Sequence, residues 1–169
     1  MPTLLQRRYV RCPYQHARAY LEEALCELAA TGAPRLVKLQ MPFNIEDTGG
    51  IEKDMLFTFG RGVDPLHFDQ PWTVQWTAQG PGLYPDFDGT LTVRADDDFR
   101  SSVLELLGTY QIPGAGFDAI AGSRLASATA REFLRTIACD YEGRYDSEEA
   151  AKRTTGRAPR LPPPGSTGT

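Results

Sequence analysis

The sequence predicts a single α+β domain in which a curved antiparallel sheet wraps around a long C-terminal helix. Two changes of pattern along the chain predict it. Apolar residues first recur at helical spacing, and from Pro34 they alternate with polar residues at a period of two. After residue 114 a long run returns to helical spacing. Because a sheet and a helix each bury one apolar face, these regions fit one core between them.

The chain opens with a short strand and a helix. Residues 4–11 predict the strand, and Pro13, after Cys12, suits the first position of a helix. The helix ends at Thr31-Gly32, where glycine can adopt the left-handed conformation of a C-cap. Its apolar positions fall on one side, so we expect it to pack against another element. These positions are Ala17, Tyr20, Leu21, Ala24, Leu25, Leu28 and Ala29.

Five alternating segments follow, each bounded by turn residues. The links between them are short enough for hairpins, so we expect an antiparallel sheet with one face exposed to solvent. With the first strand this gives six strands, and a seventh has room only within residues 44–70. The segments span residues 35–43, 52–61, 71–79, 86–97 and 101–112. Their shared apolar faces carry Met55, Phe57 and Phe59; Trp72, Val74, Trp76 and Ala78; Phe87, Gly89, Leu91 and Val93; and Leu104, Leu106, Gly108 and Tyr110.

The last helix is predicted over residues 115–142 and has an apolar and a charged side. On a wheel of 100° per residue, Arg124, Arg131 and Arg135 lie together on the outer side. The core side changes near Ala130, from small residues in its first half to large ones in its second. Its members are Ala119, Ser123, Ala126, Ala130, Phe133, Leu134, Ile137 and Tyr141.

This change in size predicts a mostly apolar ligand cavity under the first half of the helix, with the Gly114–Gly116 loop at its mouth. The alternative is that the small residues let the helix approach the sheet closely, which would leave a filled core. Tyr110, Ser123 and Ser127 could hydrogen-bond a ligand, or the serines could bond to carbonyls of their own helix. The predicted ligand-binding residues are Phe57, Trp76, Leu91, Leu106, Tyr110, Ala119, Ser123 and Ala126.

No set of residues identifies a reaction, and we predict no catalytic residue, no metal site and no cofactor. The stretch from Gly114 to Ala119 matches a permissive dinucleotide-binding pattern, but no strand follows the helix to complete a βαβ unit. His67 and Asp69 lack a third metal ligand. Glu105 is predicted on the outer, solvated face of its strand, whereas a buried Glu105 would be a candidate for acid–base chemistry.

Composition and charge narrow the class of protein further. The chain has 169 residues, a net charge of −4 and no apolar stretch near the ~20 residues that span a bilayer. An acidic body argues against nucleic acid as a partner, and three separated cysteines argue against a disulfide framework or a zinc site. With no targeting segment visible, we expect a cytoplasmic protein. Residues 1–145 are predicted to form the domain, and residues 146–169 a flexible, basic, Pro/Gly-rich tail.

Three stretches of the second half carry a resemblance to a known superfamily. They are Phe87-Asp-Gly-Thr-Leu-Thr-Val, Leu104-Glu-Leu-Leu-Gly-Thr-Tyr-Gln-Ile-Pro-Gly-Ala-Gly and Ala128-Thr-Ala-Arg-Glu-Phe-Leu-Arg-Thr-Ile-Ala. They resemble the closing strands and last helix of small bacterial members of the SRPBCC (START-like) superfamily, of the polyketide cyclase and lipid-transport type. The resemblance implies the helix-grip fold, with a deep cavity between sheet and C-terminal helix. Since members range from lipid carriers to cyclases and cochaperone modules, it implies no single activity.

Three functions remain open at this point. The first is binding or transport of a hydrophobic small molecule, namely a lipid, aromatic or isoprenoid compound, without catalysis. The second is a polyketide cyclase or aromatase-like enzyme that uses the same cavity and needs a buried titratable group beside it. The third is a protein-interaction module with a filled core and an exposed apolar patch. The sequence does not indicate an oligomeric state.

Overall fold

The computed structural model describes residues 1–42, 50–62, 71–80, 84–112 and 119–155. Six strands and two helices lie within these ranges, in the predicted order. The strands are β1 (Thr3–Val10), β2 (Arg35–Pro42), β3 (Gly50–Arg61), β4 (Trp72–Ala78), β5 (Asp86–Ala95) and β6 (Ser102–Gln111). The helices are α1 (Tyr14–Thr31), between β1 and β2, and α2 (Ala119–Thr155). Residues 43–49 and 63–70, where the sequence leaves room for a seventh strand, lie outside the described residues.

The six strands form one antiparallel sheet in the order β1-β6-β5-β4-β3-β2. From β2 to β6, each strand lies beside the next strand of the chain, as expected for hairpin links, and β1 lies beside β6. The backbone of α2 comes closest to β1 and β2, which are the two edge strands. A helix reaches both edges of a six-stranded sheet only if the sheet curves around it. The predicted α+β helix-grip architecture is therefore confirmed.

Both ends of α1 are set by local residues. Pro13 is the N-cap, so the helix begins at Tyr14, one residue later than predicted. The Pro13 carbonyl accepts a hydrogen bond from the Ala17 N–H at 3.0 Å. At the other end Gly32 has φ 59°, and its N–H donates to the Leu28 carbonyl at 3.1 Å. This confirms the predicted left-handed cap. The buried side of the helix consists of Ala17, Tyr20, Leu21 and Leu25.

Helix α2 is longer than the sequence predicted, because it runs to Thr155 and not to residue 142. Its extra turns are held against α1. The Arg144 guanidinium donates to the Glu23 carboxylate at 2.6 Å and lies 4.1 Å from the centroid of the Tyr20 ring. These partners lie more than a hundred residues away in the sequence, so the local pattern could not reveal them.

The limits of α2 also bear on the predicted domain organisation. The predicted first residues of the helix, 115–118, lie outside the described residues, as do residues 156–169 of the predicted tail. The predicted boundary after residue 145 falls inside α2. Neither helix in the described segments is long and apolar enough to cross a membrane.

The buried side of α2 differs from the predicted side in the first half of the helix. Ala119 and Ser123, predicted to face the core, are exposed, and Gly122 and Thr129 are buried instead. Thr129 can lie in the core because its hydroxyl donates to the Leu125 carbonyl at 2.9 Å. The predicted outer residues are exposed as expected: Arg124, Arg131 and Arg135. The buried residues are Gly122, Ala126, Thr129, Ala130, Phe133, Leu134, Ala138 and Tyr141.

Candidate ligand-binding face

The concave face of the sheet carries a set of packed aromatic side chains centred on Trp76. The strand register creates it, since Trp76 pairs with Phe57 of β3 on one side and with Phe87 of β5 on the other. The indole stacks on the Phe87 ring, with centroids 4.0 Å apart and an interplanar angle of 13°. The Phe57 ring is tilted against the indole at 5.5 Å. All three side chains are 3% exposed or less.

Helix α2 completes this aromatic cluster (Phe57, Phe59, Trp76, Phe87 and Phe133) with Phe133. The Phe133 ring stacks on Phe57 at 4.8 Å and lies 6.1 Å from Trp76. Because the α2 backbone approaches the edge strands most closely, these large rings bridge the distance between the helix and the central strands. The core is therefore filled below the part of α2 that follows Ala130, where large residues were predicted.

The first turns of α2, up to Ala130, present small side chains to the core. Gly122, Ala126 and Ala130 are buried there, one turn after another. Tyr110, which pairs with Phe87 across β5 and β6, is buried on the sheet side of the same end. This end of the core is bordered by apolar residues that are only partly buried: Ala78, Tyr84, Ile112, Leu125 and Ala128. The apolar interior is thus partly exposed to solvent at the end where α2 carries small side chains.

The indole N–H of Trp76 has no hydrogen-bond partner among the described residues. The group can only donate, and the residue is 1% exposed, so bulk water does not reach it. Leaving such a buried donor unpaired costs about 1–3 kcal/mol. The stacked Phe87 ring does not act as the acceptor, because the N–H lies in the indole plane and the two planes differ by only 13°. Within the described part of the chain, Trp76 is therefore a donor without an acceptor in an apolar surrounding.

Lys53 is a buried charge on the same face that the sequence analysis did not single out. It is 8% exposed, and its ammonium lies 4.6 Å from the centroid of the Tyr84 ring. The alternation could have revealed it, since Lys53 is separated by two and four residues from Met55 and Phe57. It places a cation near the end of the concave face that borders solvent.

Glu105 lies on the outer face, as predicted, but it is not solvated. The residue is 7% exposed, its carboxylate accepts a hydrogen bond from Arg7 Nε at 2.6 Å, and Arg94 Nη2 forms an ion pair with it at 3.1 Å. Arg7 stands directly opposite Glu105 in the β1–β6 register. Because the sheet separates this ion cluster from the aromatic cluster, Glu105 supplies no acid or base to the concave face.

Most of the predicted ligand-binding residues lie together in the core, and two do not. The buried ones are Phe57, Trp76, Leu91, Leu106, Tyr110 and Ala126. Leu91 and Leu106 are direct cross-strand partners. Ala119 and Ser123 lie on the exposed side of α2. The predicted mouth at Gly114–Gly116, and also His67 and Asp69, lie outside the described residues.

A second concavity lies on the outer side of the C-terminal half of α2. It is an open groove of about 480 Å³ lined by Cys139, Asp140, Gly143, Arg144, Ser147 and Glu148. Its lining is mostly polar or charged, and Arg144 is already engaged by Glu23, so the groove does not suit an apolar ligand. In the described ranges no group of three or more His, Cys, Asp or Glu side chains is placed to hold a metal ion.

Comparison with known proteins finds similarity in structure but not in sequence. No protein-family model matches the chain, and no curated protein matches it. The crystal structure of Ara h 8.0201 is similar with 13% identity and a TM-score of 0.47, covering 86% of this chain and 98% of the other. A START superfamily protein from Mycobacterium smegmatis has 10% identity and a TM-score of 0.46, covering 86% and 97%. An uncharacterized protein from Rhizobium leguminosarum has 15% identity and a TM-score of 0.37, covering 85% and 93%.

Proposed function

We propose that the chain binds an apolar small molecule between the concave face of its sheet and the first half of α2. The observation that carries the proposal is the facing of small helix residues, such as Ala126, toward a strongly aromatic sheet surface. A mostly apolar lining with a few polar groups is typical of small-molecule sites. The candidate ligands are the lipid, aromatic and isoprenoid compounds expected from the sequence.

The ligand is proposed to enter from the end of the face that borders solvent. Phe57 and Trp76 are closed off from solvent, at 0% and 1% exposure, whereas Ala78, Tyr84 and Ile112 are partly exposed. A ligand at this end gains free energy by covering apolar surface, at about 25 cal/mol per Å².

Binding without catalysis is favoured over a cyclase-like activity. An enzyme of that kind needs a titratable group beside the bound molecule. Glu105, the buried carboxylate among the described residues, lies on the opposite face of the sheet. Lys53 is on the concave side, but its ammonium is engaged with the Tyr84 ring, 4.6 Å from the ring centroid.

The interaction-module hypothesis is less well supported. It predicted an exposed apolar patch, and Leu5 and Leu107 are indeed directly opposed on β1 and β6, at 51% and 44% exposure. The next outward-facing pair along these strands is Arg7 and Glu105, with Arg94 beside them. The apolar patch therefore ends at the adjacent charged side chains, and we do not propose it as a binding surface.

Titration with the apolar dye N-phenyl-1-naphthylamine tests the proposal, together with native mass spectrometry of the purified chain. We expect saturable dye fluorescence at one site per chain. Ala126→Leu places three more carbons in the proposed site and should weaken dye binding at least several-fold. Ala150→Leu, at an exposed position of the same helix, is the matched control and should bind like the wild type. Absence of both saturable dye uptake and a co-purifying small molecule would contradict the proposal.

A further inference from the structure

We infer that the ligand of this site carries a neutral carbonyl oxygen that accepts a hydrogen bond from the indole N–H of Trp76. The inference rests on the proposed function and names the class of ligand: an apolar ketone, ester or amide, as opposed to a pure hydrocarbon or a carboxylate. Three observations lead to it. They concern the fixed position of the indole, its contrast with the second tryptophan of β4, and the charge of its surroundings.

The position of the Trp76 ring is fixed from several sides. Phe87 stacks on the indole at 4.0 Å, and Phe57 and Phe133 meet it in tilted contacts at 5.5 and 6.1 Å. The first two come from the neighbouring strands and the third from α2. A ring held in this way cannot turn to find another acceptor, so its N–H keeps one direction and stays without a partner in the described part of the chain.

The second tryptophan shows that the unpaired donor is a property of this position. Trp72 lies four residues earlier on the same strand and is also buried, at 4% exposure. Its ring is covered by the Arg61 guanidinium at 5.2 Å, and its N–H is not left buried without a partner. Of the two tryptophans on β4, Trp76 is therefore the one with a buried, unpaired N–H that an oxygen atom of a ligand could accept from.

The surroundings of Trp76 favour a neutral acceptor over a charged one. The rings that contact it belong to Phe57, Phe87 and Phe133, which carry no charge. A carboxylate in such a surrounding needs a cation close by. Lys53 is four residues from Phe57 on β3, about 13 Å along an extended strand, and its ammonium lies over the Tyr84 ring, so it is not placed to pair directly with a charge at Trp76. A carbonyl oxygen satisfies the donor without bringing a charge into the core.

Two probes that differ only at the carbonyl test the inference on the full chain. One is a dimethylaminonaphthalene with a propionyl group, and the other is its propyl analogue. We expect wild type and Trp72→Phe to bind the propionyl probe about 2- to 12-fold more tightly than the propyl analogue, which is the range that one net hydrogen bond supplies. Trp76→Phe keeps an aromatic ring and loses the donor, so it should bind both probes equally.

The indole resonances supply a second readout that does not depend on the Trp76 variant folding. The chain has two tryptophans, so its ¹H–¹⁵N spectrum contains two indole signals, and Trp72→Phe assigns the remaining one to Trp76. The propionyl probe should move the Trp76 signal downfield, and the propyl analogue should not. Equal binding of both probes, with no such shift, would overturn the inference and leave the proposed function standing. Failure of both probes to bind would overturn the inference, and it would overturn the proposed function as well if N-phenyl-1-naphthylamine is not taken up and no small molecule co-purifies.

Discussion

The ring of Phe87 lies against Gly108 on the neighbouring strand, where the sheet has no room for another atom. A Cβ at Gly108 would lie 2.6 Å from Cζ of Phe87 and 2.4 Å from the carbonyl oxygen of Asp88. Gly89, which faces Gly108 in the register, is closed in the same way. The two glycines let the Phe87 ring lie flat along the sheet, where it stacks with Trp76.

Replacing Gly108 with alanine should therefore destabilise the fold. Because the added methyl group meets backbone as well as the Phe87 ring, we expect the free energy of unfolding to fall by about 1–3 kcal/mol, measured by urea denaturation. Gly143→Ala is the matched control. Its Cβ would meet nothing within 4 Å, and the residue lies in α2, so stability should rise by up to about 1 kcal/mol. Equal stability of Gly108→Ala and wild type would show that the ring does not depend on the glycine.

Glu105 should contribute more to stability than a surface carboxylate. Its carboxylate is 8% exposed and is shared by Arg7 and Arg94. Glu105→Gln removes the charge from one charge-assisted hydrogen bond and one ion pair, and it should lower the free energy of unfolding by about 1–2 kcal/mol. Glu22 also faces two arginines, Arg18 and Arg61, but at 3.5 and 3.6 Å and with 45% exposure.

Glu22→Gln is accordingly the control for the Glu105 variant, with an expected change within about 0.5 kcal/mol. Both variants are compared by urea denaturation at low salt and in 1 M NaCl. The loss in Glu105→Gln should persist at high salt, since a covered carboxylate is screened less than an exposed one. Equal, salt-sensitive losses in the two variants would show that Glu105 behaves as a solvated group.

The three thiols should differ sharply in reactivity. Burial, and secondarily the nearby carboxylates of Glu148 and Glu142, raises the pKa of the Cys12 thiol to about 11. Cys26 and Cys139 are exposed. At pH 8 we expect the folded protein to react rapidly with Ellman's reagent at two thiols and to expose the third only on unfolding. Peptide mapping should identify the protected residue as Cys12, and labelling of Cys12 as fast as Cys26 would contradict the structure.

The same burial predicts that stability declines at alkaline pH. A raised pKa means that the folded state holds the proton more tightly, so the contribution is complete below the ordinary pKa and is lost as the pH rises above it. For Cys12 this window runs from 9.0 to about 11. Burial first of all also raises the pKa of Tyr20 and Tyr141 above their ordinary value of 10.0, which adds to the loss in the same direction.

Urea midpoints measured between pH 7 and 11 check this dependence. We expect a constant midpoint up to about pH 9 and a falling one beyond it. Cys12→Ala removes one of the contributing groups and should make the decline shallower. Cys26→Ala, which alters an exposed thiol, should follow the wild type. A midpoint that rises above pH 9 would reverse the sign of the argument.

Local sequence patterns predicted those parts of the fold that depend on interactions between residues close together in the sequence. The alternation in β4 placed Trp76 in the core, and Gly32 ended α1, because strand faces and helix caps depend on residues a few positions apart. The burial of Glu105 depends on Arg7, which is 98 positions away in the sequence. The last turns of α2 depend likewise on α1. No window of sequence contains both partners of such contacts.

The sequence patterns missed two buried polar side chains, one on α2 and one on the concave face of the sheet. The wheel of α2 favoured Ser123 over Thr129 at the core, because it could not show that the Thr129 hydroxyl bonds to its own helix. Lys53 lies in the alternation of the concave face, but lysine is normally exposed, and its contact with the Tyr84 ring is not visible in the local sequence. In both cases a polar side chain is buried because specific contacts offset the cost of removing it from water.

Arg144 should hold the C-terminal turns of α2 on α1. Its guanidinium donates to Glu23 at 2.6 Å and covers the Tyr20 ring at 4.1 Å. Arg144→Ala removes both contacts and should lower the free energy of unfolding by about 1–2 kcal/mol. Arg144→Lys keeps the charge without the planar guanidinium, so its free energy of unfolding should lie between those of wild type and Arg144→Ala. The control is Lys152→Ala, which breaks only the exposed pair with Glu149 and should change stability by less than about 0.5 kcal/mol.

Hydrogen exchange separates loosening of these turns from loss of the whole fold. In Arg144→Ala the amides of residues 145–155 should exchange faster than in wild type, while those of β4 and β5 keep their relative protection. The reason is that the turns beyond Tyr141 have little apolar burial of their own, so the contacts with α1 determine how often they open. If exchange in residues 145–155 is unchanged by Arg144→Ala and stability is unaffected, the extension of α2 stands without α1.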